Sequence, residues 1–252
     1  NSYSGDGTIS GTASDLSGNA RNATLTISGT TTIPAVQRTS TLYNGKELIF
    51  PGTTTLNPYL SWVDSVDFQA LQNISVSFWI KFTAHRTSEI IVRWNSTINN
   101  IGPWEVYQQS NTTTTVIAVR LKSSTVTIDS YGTKTIQLNK WTHVCATYDN
   151  TTKKIRTYID SVLDINSAAP NTFSIATGVL GQVCVGRYVA TISPSTLLYP
   201  LQGSLASIQI YNKSLSYGEV RNNYDTDKFR FDNFDDANKF YSHEINGNPT
   251  FS

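Results

Sequence analysis

Ile74-Ser75-Val76-Ser77-Phe78-Trp79-Ile80-Lys81-Phe82 sets Ile74, Val76, Phe78, Ile80 and Phe82 against Ser75, Ser77, Trp79 and Lys81. Apolar residues at every second position belong to a β-strand, because successive side chains leave a pleated strand on opposite faces. The stretch therefore predicts a strand with one fully buried face. Working outward, related patterning predicts strands at 46–50, 89–94, 104–109, 115–121, 124–129, 141–149, 153–160, 182–188 and 204–211. Pro51-Gly52 should stop the first of these, and Asp149-Asn150-Thr151-Thr152 and Asp160-Ser161 are turn signals between antiparallel neighbours. Many short strands with hardly any helical period predict an all-β, antiparallel two-sheet sandwich or jelly roll. One helical signal interrupts it. Ser216-Tyr217-Gly218-Glu219 is a capping box, predicting a short helix near 217–224.

The 252 residues suffice for one sandwich with a substantial core. Nineteen Lys and Arg against eighteen Asp and Glu leave a net charge of +1, scattered along the chain. Without a basic stripe there is no footprint for nucleic acid, whose binding depends on clustered cations that release counterions. No apolar run reaches the roughly 18 residues of a membrane span. The chain opens Asn1-Ser2-Tyr3, without initiator Met or signal peptide, and is expected to be a processed form or a piece of a longer protein. Cys145 and Cys184 fall mid-strand in apolar surroundings, so buried thiols are the expectation ahead of a bridge. Six Asn-x-Ser/Thr sequons occur, at Asn22, Asn73, Asn95, Asn111, Asn150 and Asn212. A chain this rich in Asn, Ser and Thr would hold roughly five by chance, so they carry no inference.

Three regions are expected. Residues 1–35, rich in Gly, Ser and Thr, should form a leading extension or edge strand. Residues 36–225 should hold the sandwich, and residues 226–252 a C-terminal tail of a different character. That tail interleaves Phe229, Phe231, Phe234, Phe240, Tyr241 and Phe251 with Asp and Lys. Aromatic rings left in water are costly, so the tail should pack on its own domain or on a partner. Phe229, Phe231, Phe234, Phe240 and Tyr241 are the candidate partner contacts.

Several blocks resemble laminin-G-like, pentraxin-related concanavalin A-like jelly rolls. They are Asp15-Leu16-Ser17-Gly18-Asn19 with Asn22-Ala23-Thr24-Leu25; Gly45 to Gly52 with Tyr59-Leu60-Ser61-Trp62; and Ile74 to Lys81. Trp141-Thr142-His143-Val144-Cys145-Ala146-Thr147-Tyr148-Asp149 with Tyr158-Ile159-Asp160 follows, and then Gly203 to Ser216 with Glu219. Each block is weak alone, but they fall in the family's order over residues 15–225. The resemblance implies an antiparallel β-sandwich, usually extracellular, that binds glycans or proteins and also occurs as a module on viral and phage particles. Many such relatives carry calcium at the sandwich rim. Here Ala206 stands where an acidic ligand is common and Asn57-Pro58 where Asp often precedes the Tyr, which weakens the site: no metal and no cofactor are expected, with a bound calcium the lesser alternative.

Catalytic patterns are sparse. A glycosidase of this architecture needs two carboxylates flanking the bond, on alternate positions of one strand. Glu89, Glu105 and Glu219 stand alone in the sequence, and Asp235-Asp236 lies in the tail. His143 falls in a strand where the resemblance gives it a structural place, while His85 and His243 lack partnered spacing. No enzyme is expected. Trp104 and Tyr107, in Gly102-Pro103-Trp104-Glu105-Val106-Tyr107, are the candidate ligand contacts, since saccharide C–H faces stack on aromatic rings. The expected role is a non-enzymatic binding or structural module at an extracellular or virion surface. Its partners would be glycans or neighbouring structural proteins, within an oligomer or larger assembly. A secreted lectin-like adhesion domain is the alternative, and a glycoside hydrolase a remote one.

Overall fold

The computed structural model describes residues 11–13, 23–27, 47–52, 58–63, 72–94, 103–176, 182–189 and 197–231. Two antiparallel sheets stack face to face. The larger runs in the order β1 (Gly11–Ala13), β2 (Ala23–Ile27), β4 (Pro58–Val63), β13 (Gln182–Val185), β6 (Ser88–Trp94), β7 (Trp104–Ser110), β8 (Thr115–Lys122) and β9 (Thr127–Tyr131). The smaller runs β12 (Val162–Ala168), β11 (Lys154–Ile159), β10 (Thr142–Asp149), β5 (Ile74–Phe82), β16 (Gln202–Tyr211) and β3 (Leu48–Pro51). A two-stranded ribbon pairs β14 (Tyr188–Val189) with β15 (Leu197–Leu198). This is the expected antiparallel sandwich. Among the described residues no helix is long and apolar enough to cross a membrane.

The core lies between the sheets, where alternate residues of facing strands meet. Ile74, Val76, Phe78, Ile80 and Phe82 of β5 join Val144, Ala146 and Tyr148 of β10 on one side. Trp104, Val106, Ile117, Val119 and Leu121 close from β7 and β8 on the other. Each such side chain adds about 1.5–3 kcal/mol when taken out of water. β5 departs from its expected half-buried pattern, since its second face is covered as well. Helix α1 (Tyr217–Asp227) and the 3-10 turn Lys228–Arg230 lie on that side. The cover is tied to the strand through Ser75, whose hydroxyl donates to the Lys213 carbonyl at 2.7 Å and accepts from the Leu215 N–H at 2.8 Å.

The capping box forms as expected. The Glu219 N–H donates to Ser216 Oγ, and the Ser216 N–H donates to Glu219 Oε2 at 2.9 Å. The helix runs to Asp227, past the expected end near 224, so a division at 225/226 falls inside an element. Asp160 and Ser161 have φ of 52° and 62°, the left-handed pair that turns β11 back as β12. β12 and β4 lay outside the alternation reading, because neither keeps a clean period of two. Pro51 ends β3 from within, opposite Gln202 on the sheet edge, where its missing N–H costs no ladder bond. At the far edges β9 and β12 meet through Ser130 Oγ and Ser167 Oγ, 2.7 Å apart.

A polar face on the larger sheet

With Trp104, Val106, Val119, Leu121, Val183 and Val185 turned into the core, the intervening residues face outward on the larger sheet. Cross-strand register aligns Ser61, Cys184, Val92, Glu105, Arg120 and Asp129 in one row. The neighbouring row brings Glu89 opposite Tyr107, Tyr107 opposite Ala118, and Ala118 opposite Tyr131.

Arg120 organises this face. Its Nε donates to Asp129 Oδ1 at 2.6 Å and its Nη1 to Glu105 Oε2 at 3.2 Å. The guanidinium also lies 5.3 Å from the Tyr107 ring centre, and the Tyr107 hydroxyl donates to Asp129 at 3.4 Å. Burial works against the Arg120 charge, but the Asp129 hydrogen bond and the two carboxylates hold its pKa above the usual value. Glu105 is 1% exposed, and burial lifts its carboxyl to about 7. Arg120 offsets only part of this because it is shared with Asp129. Glu89 is raised well above the carboxylate range, first by burial and then by the charge of Glu105. Its Oε2 is buried without a hydrogen-bond partner. The row thus runs from carboxylates at its base to a part-exposed Arg120–Asp129 pair at the β9 edge.

Two expectations are corrected. Trp104 is not a ligand contact: it is 2% exposed within the core. It stands three residues from Tyr107, and a pleat sends residues three apart to opposite faces, so the two cannot share a surface. Tyr107 is on the polar face, nearly buried and gripped by Arg120. Second, Glu89 and Glu105 do not stand alone, because β6 and β7 bring them together on one face.

Phe231, expected as a partner contact, is 4% exposed and packs on its own domain. Its ring stacks on Trp79 at 4.4 Å and tilts against Trp141 at 4.9 Å. Phe229 is 53% exposed. Phe234, Phe240 and Tyr241 lie outside the described residues, as does His243.

His143 meets Ser77 across 2.9 Å, Nε2 to Oγ, with Trp79 5.4 Å away. Both are buried on the face of β5 and β10 opposite the core. Burial lowers the imidazole to about 4, with Asp227 opposing, so it stays neutral. His85 pairs with Thr115 at 2.8 Å. Cys145 and Cys184 are free, buried and pushed up to about 12 by burial, on different sheets. Among the described residues no group of three or more His, Cys, Asp or Glu is placed to hold a metal ion. Ala206, where the resemblance places an acidic calcium ligand, packs with Trp79 and Trp141, and its side chain carries no oxygen.

A two-sheet jelly roll with a hydrogen-bonding face on its larger sheet defines a lectin-like sandwich domain. The chain belongs to the concanavalin A-like lectin/glucanases superfamily, whose Laminin_G_3 family model matches residues 53–221, more than half of its length. Among solved structures it is similar to a heptameric SAP-like pentraxin from Limulus polyphemus, with 18% identity and a TM-score of 0.57 over 69% of this chain and 79% of that one. It is also similar to domain 4 of AbnA, a GH43 extracellular arabinanase from Geobacillus stearothermophilus solved with arabinotriose. That match has 21% identity and a TM-score of 0.58 over 83% of this chain and 91% of the other. A botulinum neurotoxin type C structure, described by its interaction with two ganglioside molecules, matches at 15% identity and a TM-score of 0.56. There 85% of this chain is covered, and it spans 50% of the toxin chain. At these identities the likeness is one of fold. No curated protein matches the chain.

Proposed function

We propose that this chain is a non-catalytic glycan-binding domain, displayed on an extracellular assembly or virion surface. It would engage sugar at the β8–β9 end of the larger sheet's outer face through the accessible Arg120 and Asp129, with the buried Glu105 and Tyr107 holding the guanidinium from behind. The observation that carries this is the row Glu105–Arg120–Asp129, with hydrogen-bonding groups on three adjacent strands and an aromatic ring beside them. Sugar hydroxyls need paired donors and acceptors next to an apolar surface; Arg120 and Asp129 supply the first, and the exposed Tyr131 ring on the same face supplies the second. The arabinotriose-bound arabinanase domain and the ganglioside-dependent toxin have a similar fold, which supports the reading. No calcium is required, so a chelator should leave binding unchanged. Titration against arabino-oligosaccharides and a glycan array tests it: Glu105→Gln and Arg120→Ala should each weaken a ligand at least tenfold. Equal binding by both variants would sink the reading.

Glycoside hydrolysis is the second reading, favoured by the meeting of Glu89 and Glu105. Hydrolysis by a carboxyl pair needs one protonated and one ionised. Here burial pushes both upward, and the charge of Glu105 is shared with Arg120. Polysaccharide turnover that vanishes in Glu89→Gln would establish this reading over binding alone.

A further inference from the structure

Strand β13 stops at Gly186, whose φ of 90° lies in the left-handed region open to glycine. Space excludes a side chain there too, since a Cβ would stand 2.1 Å from a Phe50 ring carbon. Two backbone bonds hold the bend: the Gly186 N–H donates to the Ile90 carbonyl at 2.9 Å, and the Leu201 N–H to the Gly186 carbonyl at 2.8 Å. The bend delivers Arg187 to the outer face of the larger sheet. There its guanidinium carbon lies 3.7 Å from the centre of the Tyr59 ring. Tyr59 faces outward because its neighbour Leu60 is in the core.

Arg187 is 3% exposed, and its Nε and Nη1 have no hydrogen-bond partner. Among the described residues no Asp or Glu forms an ion pair with it. Burial lowers its pKa, and only the Tyr59 and Cys184 side chains work to restore it. A guanidinium nevertheless remains charged in proteins. A buried charge without a counter-ion is strongly unfavourable, and a stacked ring compensates it only in part. An arriving anion would supply what is missing.

We propose that Arg187 and Tyr59 form an acid-recognising subsite that takes the carboxylate of an acidic sugar, of the uronic or sialic type. This rests on the glycan-binding reading of the same face. A carboxylate oxygen can accept from either unsatisfied donor, Nε or Nη1, in a charge-assisted hydrogen bond. Tyr59 is only half-buried, so its ring keeps a surface for saccharide C–H groups beside the cation. Charge also orients the ligand. At the β8–β9 end the Arg120 charge is already paired with Asp129, while Arg187 attracts an acid group at the β4–β13 end. The acidic unit therefore sits over Arg187, and a neutral neighbour over Tyr107 and Arg120.

The test is calorimetry and thermal melting of the full chain with glucuronate, N-acetylneuraminate, glucose and inorganic sulfate. Glucuronate or N-acetylneuraminate should bind saturably and raise the melting temperature, glucose at the same concentration should not, and sulfate should bind more weakly. Arg187→Met should lose at least tenfold in affinity while its unliganded form melts no lower than the parent, since an unpaired buried charge is gone. Arg187→Lys, which keeps the charge but not the directional Nε and Nη1 donors, should lose most of the affinity and serves if the Met variant fails to fold. Acidic sugars binding no better than glucose, or equally to both variants, would overturn the subsite. So would sulfate binding as tightly as the sugars. If neutral oligosaccharides bind through Glu105 and Arg120 while acids do not, the subsite falls and the glycan reading stands. If acids bind through Arg187 but Glu105→Gln and Arg120→Ala change nothing, the subsite stands and the proposed contact row falls.

Discussion

Trp104 and Tyr107 show how much one position along a strand decides. Both are aromatic, both lie in β7, and the pleat alone sends one into the core and the other to the polar face. Trp104→Ala should therefore cost about 3–5 kcal/mol, the usual range for emptying a large buried site, in urea unfolding, while a folded fraction keeps its sugar affinity. A variant of parental stability that lost binding would place the ring at the surface instead. Phe231 makes the same point for the tail. Phe231→Ala should cost about 3 kcal/mol and shift tryptophan emission to longer wavelength, because Trp79 and Trp141 lose the ring packed on them. Unchanged emission would contradict that packing. The sequence names these rings without saying which are covered, since aromatic residues suit a core and a surface contact alike.

Among the elements, hairpins were more legible than faces. Asn111 closes the β7–β8 turn by accepting from the Thr113 and Thr114 N–H groups at 2.9 and 2.8 Å. Ser123 does the same for β8–β9 through the Val126 N–H at 2.9 Å. With those turns fixed, Glu105 must lie opposite Arg120, and Arg120 opposite Asp129, so the contact row could have been found by counting. The approach of Glu89 to Glu105 could not. A register shift between Glu89 and Ile91 breaks the count across β6 and β7. At α1 the capping box was plain in the sequence, and Ser216→Ala should cost about 1 kcal/mol by chemical denaturation. A loss below a few tenths would mean that Glu219, paired with Lys213, holds the helix start alone.

For the whole molecule, two buried titrations oppose each other. Glu105 rises from 4.5 to about 7, so the folded state keeps a proton that the unfolded chain has released. Between those pH values its contribution to stability falls as pH rises, and Glu89 adds to it. His143 drops from 6.5 to about 4, so the fold refuses a proton that the unfolded chain accepts. Its contribution is intact above pH 6.5 and is lost as pH falls toward 4. Melting temperature followed from pH 4 to 7 should therefore climb more steeply in Glu105→Gln than in the parent. His143→Gln should show a decline over the same interval. Profiles that run parallel to the parent would refute the assignment of both groups.

The alternation around 74–82, the turn residues and the Ser216–Glu219 box were enough to determine an antiparallel sandwich with a helix starting at Tyr217, because each is a local rule with a fixed period or spacing. Which carboxylates meet, which ring is covered and which arginine has no Asp or Glu partner among the described residues were decided only by tertiary structure. Those properties depend on strands distant in sequence sharing one face, with a bulge and a glycine bend setting the final register. Neither leaves a periodic trace in the chain.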